Sequence, residues 1–174
     1  MNAHKASFAN FSELKPFYHV PDARLSEGVT YVKETDSLLW VDIYKGLIHK
    51  IELSNLENSY EVIQISPETY NEAAVLAHPD PDCKESVGAI FPIVNKNNVI
   101  SDLLFASKFG IGKTSFDGKQ WEYLVLYTSC AEITPQRSQR LRSNDGNVSP
   151  CGKYLFVALM NDFPYEVTNE GCIV

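Results

Sequence analysis

The stretch Arg142-Ser143-Asn144-Asp145-Gly146 carries side chains suited to holding an oxygen-rich ligand. A guanidinium presents a planar fork of N–H donors, and an amide two residues on adds more. The same stretch is also a turn signal, because Asn, Asp and Gly tolerate positive φ. Pro150-Cys151-Gly152-Lys153 follows as a second such signal, just ahead of the apolar run Tyr154-Leu155-Phe156-Val157-Ala158-Leu159. Far upstream, Leu25-Ser26-Glu27-Gly28 sets a carboxylate before Val29-Thr30-Tyr31, and Leu38-Leu39-Trp40-Val41-Asp42-Ile43 ends on another. A lone Glu before a strand is usually a solvated loop residue. Polar groups at the mouths of strands this far apart in the chain imply a site built by several strands around one axis.

The elements that would position these groups are strands. Short runs rich in β-branched and aromatic residues alternate with Gly, Asn, Asp and Pro clusters. Val29–Val32, Ser37–Ile43, Leu47–Leu53 and Tyr60–Ile65 form a first group, joined by turns at Glu34-Thr35-Asp36, Tyr44-Lys45-Gly46 and Asn55-Leu56-Glu57-Asn58. Its span of about 40 residues is the size of one propeller blade. A second, less regular group comprises Val87–Val94, Ile100–Phe109, Gly110-Ile111-Gly112 and Trp121–Tyr127, with a loop at Asn95-Lys96-Asn97-Asn98. A third begins at Gly146 and runs through Met160 towards Gly171-Cys172-Ile173-Val174. Pro67–Leu76 reads either as two helical turns or as a loop, and Gln136–Arg142 as a solvated loop.

The expected fold is all-β: part of a six-bladed β-propeller, about two and a half blades. Blade 1 is expected over 24–66, blade 2 with a loop insertion over 72–134, and the start of blade 3 over 140–174. Such a piece leaves an apolar inter-blade face and a strand edge open. A second copy, or a missing C-terminal half, is expected to cover them. Lys15-Pro16-Phe17-Tyr18-His19-Val20 is expected to be the strand that closes the last blade of a complete ring.

Bulk properties narrow the function classes. A net charge of −7 over 174 residues argues against a nucleic-acid partner, which needs a basic face. No apolar run reaches the roughly 20 residues that span a bilayer, so no membrane partner is expected. Without a visible export signal, Cys83, Cys130, Cys151 and Cys172 read as reduced thiols of a cytoplasmic protein, with the nucleus as the other compartment the composition allows.

Three other motifs fail on inspection. Gly110-Ile111-Gly112-Lys113-Thr114 ends like a phosphate loop, but Ser107 stands where the first Gly is required, so the glycines read as close-packing positions. Asp80-Pro81-Asp82 starts like a calcium loop, but Glu85 stands at its Gly position. His4, His19, His49 and His78 lack zinc spacing.

Taken together, Leu25-Ser26-Glu27-Gly28, Trp40-Val41-Asp42, Ser86-Val87-Gly88-Ala89-Ile90 and Arg142-Ser143-Asn144-Asp145-Gly146 resemble the regucalcin and gluconolactonase family. The resemblance implies metal-dependent hydrolysis of a sugar lactone to the aldonic acid in a six-bladed propeller. It makes Arg142 and Asn144 the substrate-binding residues, with Asp145 and Gly146 holding the turn. It makes Glu27 a carboxylate ligand of a divalent cation, calcium or zinc, with magnesium and manganese as other hard-oxygen partners. Asp42 reads instead as a structural turn acceptor. At the position where animal relatives carry an acidic substrate contact this chain has Phe163, preceded by Asp162. The remaining metal ligands and the catalytic base of the family have no counterpart here, so no catalytic base is expected within this chain. A non-catalytic calcium-binding or protein-interaction propeller is the alternative that the same scaffold allows.

Overall fold

A computed structural model describes residues 15–71, 73, 76–80 and 85–174. Among the described residues eleven strands form three antiparallel sheets, each meandering outward from a first strand. The first sheet holds β1 (Ser26–Val32), β2 (Ser37–Asp42), β3 (Leu47–Glu52) and β4 (Glu61–Gln64) in that order. The second holds β5 (Ala89–Val94), β6 (Ile100–Ala106), β7 (Gly110–Ser115) and β8 (Trp121–Leu126). In the third, β9 (Leu141–Val148) pairs β10 (Leu155–Asn161), which pairs the short β11 (Cys172–Ile173). These are blades of a β-propeller, two four-stranded and one three-stranded, with β1, β5 and β9 innermost. No closed sheet forms among the described residues.

The period of two along each strand decides which blade it faces. On blade 1, Leu39, Val41, Ile48 and Ile63 turn towards blade 2 and are buried against Val87, Ile90, Leu103 and Phe105. On blade 2, the neighbouring positions Ala89 and Ala106 turn the other way, towards Leu141, Val157 and Leu159 of blade 3. Gly112 is required here: a Cβ would lie 2.2 Å from the Phe105 ring. Trp121 ties the connector to blade 2, its Nε1 donating to the Ser66 carbonyl at 2.7 Å. The other face of blade 1 carries a ring stack of Trp40, His49 and Tyr60, with His49 and Trp40 centroids 5.1 Å apart.

Residues 15–20 form no strand here and lie over blade 1, where Tyr18 meets Trp40 edge-on at 6.1 Å; the last blade that they were expected to close lies outside the described residues. Several local expectations are corrected. Pro135–Arg140 is a helix, α1, rather than a loop. Its start signal is Thr134, whose hydroxyl accepts from the Arg137 N–H at 3.3 Å, with Pro135 in the first turn. At Pro67–Thr69 the chain makes a single 3-10 turn; Glu72, Ala74 and Val75 lie outside the described residues. Asn144-Asp145-Gly146 makes no tight turn. All three are extended within β9, and the reversal comes later, where Gly152 adopts a φ of 69°. Among the described residues no helix is long and apolar enough to cross a membrane. Cys130, Cys151 and Cys172 are free; Cys83, Asp82 and His4 lie outside the described residues.

Candidate functional site at the rim of the inner strands

Glu27 sits inside β1 rather than ahead of it. The register between β1 and β2 slips between Glu27 and Thr30, and Gly28 at φ 64° absorbs the extra residue. This is a β-bulge, which re-aims a side chain locally. A matching slip occurs in blade 3. Asp145 pairs Ala158 and Ser143 pairs Leu159, so Asn144 is the unpaired residue. Strand β9 is thus bulged at Asn144, and β1 is bulged directly after Glu27.

The neighbouring strands define the end of the blades at which these groups lie. Ser26 pairs Asp42 at the end of β2, Ala89 pairs Ala106 at the end of β6, and Leu141 pairs Asn161 at the end of β10. Glu27, Arg142 and Asn144 therefore occupy one rim. Beside that rim the inner strands enclose a cavity of about 340 Å³, whose walls include Gly28, Thr30, Phe91, Asp145 and Asn147.

Arg142 is 3% exposed and held on several sides. Its Nη1 donates to the Ser143 carbonyl at 2.9 Å and to Asn144 Oδ1 at 3.1 Å. Its guanidinium carbon stands 4.2 Å from the centre of the Phe163 ring. The buried Nε has no hydrogen-bond partner, with Asp162 Oδ1 at 3.8 Å. Burial lowers the Arg142 pKa, while the charges of Asp162 and Glu27 oppose that shift. Glu27 and Arg142 therefore share one electrostatic neighbourhood. Because Asn144 Oδ1 accepts from Arg142, its amide nitrogen is the donor left for a ligand.

The carboxylates divide by what they already hold. Asp42 is fully buried and accepts the backbone N–H groups of Arg24 at 2.8 Å, Leu25 at 3.2 Å and Lys45 at 3.3 Å. Its role as a turn acceptor is what the strand-ending position suggested. Asp162 is held by Lys108 Nζ, which also donates to the Gln139 carbonyl at 2.6 Å. Glu27 is half-buried and takes no hydrogen bond from the described residues.

Glu85 was read from sequence only as a position that spoils a calcium loop. It is 4% exposed and accepts from Tyr123, from His78 at 3.0 Å and from the Lys108 N–H at 3.2 Å. Burial and the Glu85 charge push the Tyr123 pKa far up, so this phenol stays protonated. The cluster fastens the turn that carries Lys108, and through Lys108 it holds Asp162 beside Arg142. Its only sequence trace was four polar residues scattered over one strand, one turn and the connector ahead of blade 2.

A divalent cation is tested by these donors. Among the described residues no three His, Cys, Asp or Glu side chains converge. Calcium takes about six to eight oxygens. Glu27 could supply part of such a shell, and the described residues alone do not complete one.

Comparison with known proteins bears on the whole arrangement. The family model of the SMP-30/gluconolactonase/LRE-like region matches residues 25–174. An uncharacterized protein of Saccharomyces cerevisiae is 52% identical over 167 residues, covering 93% of this chain and 47% of that protein. The cell growth-regulated gene 1 protein of Candida albicans is 36% identical over 141 residues, covering 81% of this chain and 37% of that protein. The chain thus spans less than half the length of the curated relatives it matches. Among solved structures, regucalcin of Agrobacterium tumefaciens, described as a calcium-binding protein, superposes with a TM-score of 0.55 at 19% identity over 79% of this chain and 35% of that one. A luciferin-regenerating enzyme gives 0.56 at 20% identity over 79% of this chain and 36% of that one. The likeness to these two structures concerns the fold. With the family model matched from Leu25 to Val174, this chain belongs to the SMP-30/gluconolactonase/LRE-like family.

Proposed function

We propose that this chain supplies the substrate-binding half of a divalent-metal-dependent lactone hydrolase. The observation that supports the reading is the shared placement of Glu27 in β1 and of Arg142 and Asn144 in β9 at one end of the inner strands, where the Glu27 charge opposes the lowering of the Arg142 pKa. Asn144 offers an amide donor, and the Arg142 fork is held in place by Phe163, Ser143 and Asn144. Donors fixed in advance hold a carbonyl without reorganising, which is the requirement for stabilising charge that develops on its oxygen.

Glu27 is the metal ligand in this reading, and calcium or zinc the cation; the further oxygen ligands and the base would come from outside this chain. A bound cation would supply Lewis-acid polarisation of the ester. The same family in its regucalcin member is described as calcium-binding, which supports a hard cation. The substrate is a cyclic ester, with sugar lactones the first class to try, and the working compartment is the cytoplasm. Neither a nucleic acid nor a membrane is a partner in this reading. The open faces of blades 1 and 3 would be covered by the rest of the full-length protein or by a second copy.

The test is a panel of lactones given to the full-length protein and to Arg142→Ala. Ring opening by the wild type, with kcat/KM reduced about 100-fold in Arg142→Ala, is the expected result. Equal turnover by both would dismiss the assigned binding role.

A further inference from the structure

Arg142 lies beside a carboxylate that it does not hold. Its buried Nε has no hydrogen-bond partner, and Asp162 Oδ1 stands 3.8 Å away. A guanidinium and a carboxylate so near each other and so little wetted ordinarily close into a charge-assisted pair, with N–O distances of about 2.7–2.9 Å. Here both Asp162 oxygens are already taken. Oδ1 accepts the Phe163 N–H at 2.9 Å, and Oδ2 accepts Lys108 Nζ. The Asp162 backbone is pinned as well. Its N–H donates to the Arg140 carbonyl at 2.8 Å, and its carbonyl accepts the Tyr165 N–H at 3.0 Å. Only the carboxylate is left to turn towards Arg142, and to do so it must give up Lys108.

Lys108 is fixed from several sides. It is 4% exposed, its Nζ also donates to the Gln139 carbonyl at 2.6 Å, and its backbone N–H donates to Glu85 at 3.2 Å. The turn between β6 and β7, helix α1 and the connector ahead of blade 2 thus all meet at this one lysine. Phe163 stacks on the Arg142 guanidinium at 4.2 Å, and Tyr44 backs that ring with centroids 5.1 Å apart. Stacking holds the plane of a guanidinium and leaves it able to slide within that plane. Hydrogen-bond acceptors at its nitrogens set the rest. Nη1 is drawn to the Ser143 carbonyl and to Asn144 Oδ1, while Nε faces Asp162.

We propose that Lys108 is a positioning residue: by occupying the Asp162 carboxylate it keeps the Arg142 guanidinium on the Asn144 side of the rim. Its effect on turnover rests on the lactone-binding role of Arg142 and Asn144. Without the Lys108 ammonium, Asp162 would carry an unpaired charge out of reach of most water, with the Arg142 cation beside it. Closing onto Nε would draw the fork away from Asn144, and a shift of about 1 Å at a group that holds substrate is enough to slow turnover.

The experiment uses the full-length protein with calcium or zinc supplied and reads two quantities. One is the Nε–H proton resonance of Arg142, assigned by its loss in Arg142→Ala; the other is kcat/KM for glucono-1,5-lactone. In Lys108→Met the resonance is expected to move downfield as Nε donates to a carboxylate, and kcat/KM to fall about 10-fold. Adding Asp162→Asn should return the resonance towards its wild-type position and recover most of the lost kcat/KM, which a mere loss of packing at Lys108 would not allow. A resonance that stays in place in folded Lys108→Met, or an unchanged kcat/KM there, overturns the proposal. If Lys108→Met fails to fold, Asp162→Asn is compared with Lys108→Met/Asp162→Asn, where no carboxylate is left unpaired. Lys108 then has nothing to hold, so the same resonance position and kcat/KM values within about twofold are expected; a larger difference overturns the proposal. Turnover absent from the wild type overturns the lactonase reading alone, and the resonance then decides whether Lys108 sets the place of the guanidinium.

Discussion

Blade 1 and blade 3 bring opposite charges to one rim and hold them in opposite ways. In blade 1, two carboxylates lie on adjacent strands. Asp42 is buried and filled by three backbone N–H groups, whereas Glu27 is half-buried and takes no hydrogen bond from the described residues. In blade 3 the Arg142 cation is buried, stacked and hydrogen-bonded. The contrast separates structural charge from available charge. Asp42 belongs to the turn it closes, Arg142 is fixed by its neighbours, and the Glu27 carboxylate takes no hydrogen bond from the described residues.

The contrast breaks most visibly at Asp42. Asp42→Ala removes the acceptor of three partly buried N–H groups and is expected to cost about 2–3 kcal/mol of stability, read by urea unfolding. A loss below about 1 kcal/mol would show that Asp42 is not the anchor described. Glu27→Gln should do the reverse. Stability changes by no more than about 0.5 kcal/mol, while kcat/KM for a lactone falls about 100-fold, equivalent to about 2.7 kcal/mol of transition-state stabilisation. If both acids behaved alike in unfolding, the division between them would fail.

The bulge that aims Glu27 gives a smaller effect. A Cβ at Gly28 would have room, its nearest neighbour being Val41 Cγ2 at 3.8 Å, so Gly28→Ala meets only the strain of φ 64°. About 1 kcal/mol of destabilisation is expected, with a loss of activity that Glu27→Gln already contains; the double variant should be no less active than Glu27→Gln. Smallest is a pH effect away from the rim. Burial lowers the pKa of His49 below its ordinary 6.5, so the unfolded chain takes up a proton that the folded one refuses. Stability should therefore fall as pH drops through 6.5, and His49→Phe should remove that part of the slope in urea midpoints.

The strands were readable because alternate residues face different neighbours, a period of two visible in Leu39, Val41 and Ile43. The turns at Asp36 and Asn98 were readable because their positive φ demands particular residues. Asn144-Asp145-Gly146 misled for the same reason. Its residues permit a turn, yet pairing with β10 keeps them extended, and only the bulge at Asn144 departs from regular register. The helix at Pro135–Arg140 was missed because three Arg residues suggested solvent, although Thr134 and Pro135 already marked a capped start. The Glu85, His78, Tyr123 and Lys108 cluster carried no local signal, since its members meet only when blade 2 closes on its connector. The pairing of Phe163 with Tyr44 was hidden likewise, one ring belonging to each of two blades.

The central claim is that Glu27 serves a cation beside the Arg142 and Asn144 donors. The most direct measurement is lactone hydrolysis by the full-length protein before and after chelation, with Glu27→Gln run in parallel. Activity abolished by the chelator, restored by calcium or zinc in the wild type and not restored in Glu27→Gln is the predicted result. Hydrolysis that survives both chelation and the substitution would contradict the account.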